Sequence, residues 1–159
     1  MTLVQRLPRK ALIFLSIFLI QFFACAEHKD LPPIALSVAS PIDVAATDTG
    51  DFFFALNSDA NHKFRSGSLM VLSSDGEKLN SVDVPRLGRN IAVSGNDLLL
   101  TFDHESVDVG QQAFGTAILF DISDPKNPSQ KKRWELEGCQ PINAVMRSGF
   151  QYFAVSCAA

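Results

Sequence analysis

A chain of 159 residues has room for one domain, and its 47% hydrophobic and 19% charged content is that of a globular protein rather than a disordered or fibrous one. With 14 Lys and Arg against 17 Asp and Glu the formal net charge is −3, which argues against nucleic acid as a partner, since that binding relies on basic side chains neutralising phosphates. The local run Lys131-Lys132-Arg133 does not alter this, because it sits in an alternating pattern expected of a strand with one wet face.

Residues 1–24 stand apart from the rest. Arg6, Arg9 and Lys10 form a basic front, and Ala11 to Ala24 is an almost unbroken apolar run. That run is too short to span a bilayer comfortably, so residues 1–24 are expected to be a signal peptide. Phe22-Phe23-Ala24-Cys25 resembles the bacterial lipobox, in which a small residue precedes a lipidated cysteine. The resemblance implies lipidation at Cys25, a tether over residues 25–40 and, with Ala26 after the cysteine, sorting to the outer membrane. Ala24-Cys25-Ala26 also fits the small-x-small site of ordinary secretory cleavage, which leads to the periplasm or cell surface. Removing residues 1–24 takes three basic charges from the 14 and none from the 17 acidic ones, so the net charge moves from −3 to −6.

From Pro41 onward one series of events occurs twice and begins a third time. Pro41 to Ala45, Arg89 to Val93 and Pro141 to Val145 read as short first strands of small and branched residues. Turn residues follow each: Asp48-Thr49-Gly50, Ser94-Gly95-Asn96 and Ser148-Gly149. Second strands are expected over Phe52 to Leu56, Leu98 to Phe102 and Gln151 to Val155. Third strands begin at Gly67 and Gly115, and fourth strands cover Ser81 to Val84 and Lys131 to Leu136. A four-strand unit recurring at roughly fifty residues is near the period of propeller blades. The expected fold is therefore all-β, an incomplete β-propeller of two and a half four-stranded antiparallel blades over 41–85, 89–137 and 141–159. A small antiparallel β-sandwich is the alternative.

Leu119-Phe120-Asp121-Ile122-Ser123-Asp124-Pro125-Lys126-Asn127-Pro128 resembles the signature of LVIVD-type repeats, found in bacterial surface and secreted β-propellers. Ile91 to Phe102 and Pro141 to Val155 are similar to the strand pair flanking that signature. The first unit has Ser74-Asp75-Gly76 in place of the Ser-Asp-Pro turn. The resemblance implies a propeller in the cell envelope and carries over no catalytic residue.

Strands that alternate in direction put their connections on two opposite edges, and here one edge receives the longer loops, where binding residues are usually found. That edge would gather Asn57, Asp59, His62, Lys63, Arg65 and Arg89 with Asp103, His104, Glu105 and Asp108. Asn57, Asp103 and Ser156 fall at the ends of the second strands and could line the mouth of a channel, although strand ends also turn polar simply because they meet water. His62 and His104 lie in equivalent loops, but the spacings of zinc and calcium sites are absent, so no metal and no cofactor is expected. There is no Gly-x-Ser-x-Gly elbow and no phosphate-binding glycine loop.

Cys139 and Cys157 are the remaining thiols in a compartment that permits oxidation, and a disulfide between them is expected. A two-residue turn at Ser148-Gly149 would set Arg147 opposite Phe150 and bring the cysteines within one residue of opposition. Otherwise both are buried small residues. Function is expected to be binding or scaffolding by an envelope lipoprotein, its loop-rich edge engaging a protein or glycan, with self-association through open blade faces possible. The alternative is an N-terminal fragment of a larger secreted propeller enzyme, a hydrolase or redox protein, inactive alone. Ending after two strands of a third unit favours a chain that continues further.

Overall fold

The computed structural model describes residues 40–61, 64–104, 114–147 and 152–158. Cys25, His62, Lys63, Glu105 and Asp108 lie outside them, as do the expected signal peptide and nearly all of the tether. Regular structure among the described residues is strand throughout. The strands are β1 (Pro41–Ala46), β2 (Phe52–Asn57), β3 (Gly67–Ser73), β4 (Lys78–Val84), β5 (Gly88–Ser94), β6 (Asp97–Phe102), β7 (Phe114–Asp121), β8 (Ser129–Glu137), β9 (Gln140–Met146) and β10 (Phe153–Ala158). Each pairs antiparallel with the next inside sheets β1-β2-β3-β4, β5-β6-β7-β8 and β9-β10. The fold is all-β: two four-stranded blades, a two-stranded half blade, and no closed sheet.

First strands set the blades side by side, β1 against β5 and β5 against β9. The middle blade is covered on both faces, and its second strand divides between them. Leu98, Leu100 and Phe102 join Phe54, Leu56, Leu69 and Val71 of the first blade in the larger core. Leu99 turns the other way with Ala117 to meet Ala144, and Trp134, Leu136, Met146 and Phe153 pack around them. The period of two along a strand sends alternate leucines to opposite neighbours, which is why Leu98-Leu99-Leu100 can be apolar without a gap. A two-layer sandwich would need only one buried face per sheet.

The three first strands are not equally buried. Ile42 and Val44 of β1, and Ile142 and Val145 of β9, are exposed, whereas Ile91 of β5 is buried. Among the described residues β5 alone has a first strand on either side.

Gly67 and Gly115 both open third strands because backbone passes too close for a side chain. A Cβ on Gly67 would meet the Asn57 and Pro85 carbonyl oxygens at 2.7 Å, and one on Gly115 would meet Pro141 Cδ at 2.5 Å and the Cys139 carbonyl at 2.6 Å. The Asp121 to Pro128 segment is a turn built from its own polar groups. Asp121 Oδ1 accepts the Ser123 N–H at 2.8 Å, Asp124 Oδ1 accepts the Lys126 N–H at 3.1 Å, and Asn127 Nδ2 donates to Asp124 Oδ2 at 2.7 Å. Asn80 Nδ2 of the first blade donates to the Lys126 carbonyl at 2.7 Å, so the turn also ties the two blades together.

A second tie lies between the first strands. Asp43 Oδ2 accepts the Ile91 N–H at 2.9 Å and Asn90 Nδ2 at 2.7 Å. Asp43→Ala strands that amide beside a buried Ile91, and should lower the unfolding free energy by about 1–2 kcal/mol. Asp43→Asn retains an acceptor and should lose less. Urea unfolding of the two variants checks this, and equal losses would remove the hydrogen bond as the cause.

The β9–β10 register differs from the one expected from a two-residue turn. Met146 faces Phe153 and Ala144 faces Val155, two residues out of the expected frame, and a bulge between Ser156 and Cys157 then brings Cys157 opposite Pro141. Cys139 and Cys157 are therefore diagonal neighbours across the strand pair and form a disulfide with Cα atoms 5.0 Å apart. The bulge was invisible in a count of residues because it changes pairing without changing composition.

Candidate functional site

The β2–β3, β4–β5, β6–β7 and β8–β9 connections share one edge of the blades, and their backbones are bonded to one another. The Asp59 N–H donates to the Arg86 carbonyl at 2.9 Å, the Ser58 hydroxyl donates to the same oxygen at 3.2 Å, and the Asp103 N–H donates to the Leu87 carbonyl at 2.8 Å. Asp59, only 5% exposed, accepts the Phe64 N–H on Oδ2 at 2.6 Å, and Arg86 Nε lies 3.9 Å from the same oxygen. Asp59 thus holds a loop in place, and Arg86, which the sequence did not single out, shares that role. Arg65 is more open, its guanidinium 3.6 Å from Asp83 of β4.

Of the expected edge residues, Asn57 is withdrawn from solvent. It is fully buried in the first blade and its Nδ2 donates to Ser68 Oγ at 3.0 Å. Strand register also places Asn57, Asp103 and Ser156 at unequal positions. Asn57 faces Pro41, Phe102 faces Gly88 and Cys157 faces Pro141, so Asn57 corresponds to Phe102 and Cys157, and Asp103 lies one residue further on. The three do not form one ring of polar residues, because the end of β2 is polar where the end of β6 is a core phenylalanine.

Arg89 and Asp103 are brought together as an ion pair from β5 and the residue after β6. The Arg89 side chain remains 52% exposed while that of Asp103 is 12% exposed, so the carboxylate orients a guanidinium that still faces water. His104 is exposed beside it. Nearby, Arg133 Nε donates to Glu135 Oε1 at 2.8 Å and the Thr116 hydroxyl donates to Oε2 at 3.0 Å. Arg133 first, then Thr116, hold the Glu135 carboxyl below its ordinary value, with His104 adding a smaller charge effect. A depressed carboxylate contributes stability above its unfolded value and loses it as pH falls through the lower folded value. The stability difference between wild type and Glu135→Gln should therefore shrink on acidification, read as unfolding midpoints across the acid range. A constant difference would count against that coupling.

A groove of about 330 Å³ lies on the blade side, where Leu119 and Trp134 of the middle blade meet Met146 and Phe153 of the half blade. Trp134 and Phe153 meet edge to face at 4.9 Å, and Lys132 Nζ sits 4.9 Å over the indole. At its rim Lys131 Nζ is 2.8 Å from Asp97 and 3.7 Å from Asp121. Among the described residues no three His, Cys, Asp or Glu side chains converge as metal ligands would. No family model, curated protein or solved structure matches the chain.

Proposed function

We propose that this chain is an exported envelope protein, lipidated at Cys25 and held at the outer membrane, that binds a protein or glycan through the long-loop edge of an LVIVD-like partial propeller. The observation that carries the reading is the Arg89–Asp103 pair with His104 beside it: an oriented cation and an imidazole, both open to solvent, on backbone tied across two blades. A planar guanidinium braced by a carboxylate suits carboxylate groups and sugar hydroxyls alike. The lipobox-like Phe22 to Cys25 supplies the location.

Two measurements separate location from binding. Lipid attachment supplies the hydrocarbon that keeps a water-soluble domain on a membrane, so Cys25→Ser should move the protein from the membrane pellet to the soluble fraction. An unchanged pellet, or a mature N-terminus at Glu27, would reject lipidation. For binding, the Arg89→Ala/His104→Ala variant should lose envelope components that wild type retains while keeping its folded circular dichroism spectrum. Identical retention by the two proteins would move the binding surface elsewhere.

A further inference from the structure

Every first strand carries a short Asx residue at the same register position, just past its bulge or opposite one. Asp43 faces Leu56, Asn90 faces Thr101 and Asn143 faces Ser156. Two of these make one and the same bond to the next blade. Asp43 Oδ2 accepts the Ile91 N–H at 2.9 Å, and Asn90 Oδ1 accepts the Ala144 N–H at 2.8 Å. In each case the amide belongs to the residue one past the equivalent Asx of the following blade. The third member, Asn143, is exposed, and its side chain has no hydrogen-bond partner among the described residues.

The surroundings of Asn143 repeat as well. Two residues beyond each Asx stands a small apolar side chain on the same face: Ala45 in the larger core, Ala92 in the smaller one, and Val145, which is 57% exposed. The outer face of the half blade therefore has the form that seats a following first strand twice within the chain. The complementary half exists on β1. Its amide equivalent to Ile91 and Ala144 is that of Val44, whose side chain is 54% exposed, and this N–H turns back to its own Asp43 Oδ1 at 2.9 Å.

We propose that β9 of one copy seats β1 of a second copy, head to tail, with Asn143 Oδ1 accepting the Val44 N–H and Val145 packing near Val44. The contact continues the interface that joins β1 to β5 and β5 to β9. Head-to-tail contacts form rings when the rotation closes. The described first strands of two copies number six, within the roughly four to eight blades of closed propellers. The proposal is independent of what the long-loop edge binds.

The test uses the full mature chain carrying Cys25→Ser, examined by sedimentation across its soluble range. A concentration-dependent dimer is expected, and Asn143→Ala should weaken it roughly tenfold, the loss of about one hydrogen bond. Asn143 makes no side-chain hydrogen bond among the described residues, so the monomer fold should be unchanged, as circular dichroism will report. An Asn143→Cys copy mixed with a Val44→Cys copy should give an intermolecular disulfide that neither forms alone. A monomer at every concentration would overturn the proposal. So would a dimer insensitive to Asn143→Ala with no mixed disulfide, which would assign the β9 face to some other occupant.

Discussion

Leu100→Ala is expected to lower the unfolding free energy by about 3–5 kcal/mol, the upper part of the range for emptying a closed aliphatic site. Leu100 is fully buried and stands between Ile91 and Ile118 in its own sheet while facing the first blade. The larger core around it is assembled mainly from fully buried side chains, including Phe54, Leu56 and Phe102. Such a wall has little freedom to collapse into the space left behind, so the cavity cost adds to the lost transfer energy. Leu99→Ala deletes the same atoms one residue away but opens the smaller core, where Trp134, Met146 and Phe153 are only partly buried and can shift. About 2–3 kcal/mol is expected there. Urea unfolding of both variants gives the comparison, and a larger loss for Leu99→Ala would show that the two interfaces are ranked wrongly.

Replacing Cys139 and Cys157 together by serine should cost about 3 kcal/mol, the value for closing a loop of this length in the unfolded chain. The bond spans 18 residues and joins the residue before β9 to β10, the strand pair that makes up the half blade among the described residues. Two strands alone are marginally stable in water, so the half blade depends on this bond and on its contact with the middle blade. Loss should be visible first as faster amide exchange in β9 and β10, and wild type in reductant should reproduce it. Equal protection of these strands with and without the bond would show that packing on Trp134 and Ala117 is sufficient.

The strand positions were largely legible because proline, glycine and Asx residues punctuate them, and because a wet outer strand alternates where a covered one does not. Trp134 and Leu136 half-buried, against exposed Arg133 and Glu135, is that alternation in β8. Register was not legible. Aligning Pro41 and Pro141 with Arg89 sets Asp43 and Asn143 against Ile91, whereas pairing aligns them with Asn90 and exposes the repeated Asx. A bulge adds a residue to one strand without altering composition, so hydropathy cannot locate it. The edge was legible only as a set of loops. Whether a polar residue there points to water, turns inward to another side chain as Asn57 does with Ser68, or braces the backbone as Asp59 does with the Phe64 N–H depends on partners elsewhere in the sequence, such as Arg86 for Asp59.

Each sheet is a meander of consecutive strands, and among the described residues the main contacts between blades join blades that are next to each other in the chain. Coupling in such a molecule runs between nearest neighbours, so its free energy is a sum of blade and junction contributions rather than a single all-or-none quantity. Opening should then begin at the half blade and move inward, with the middle blade, held on both faces, the last to let go.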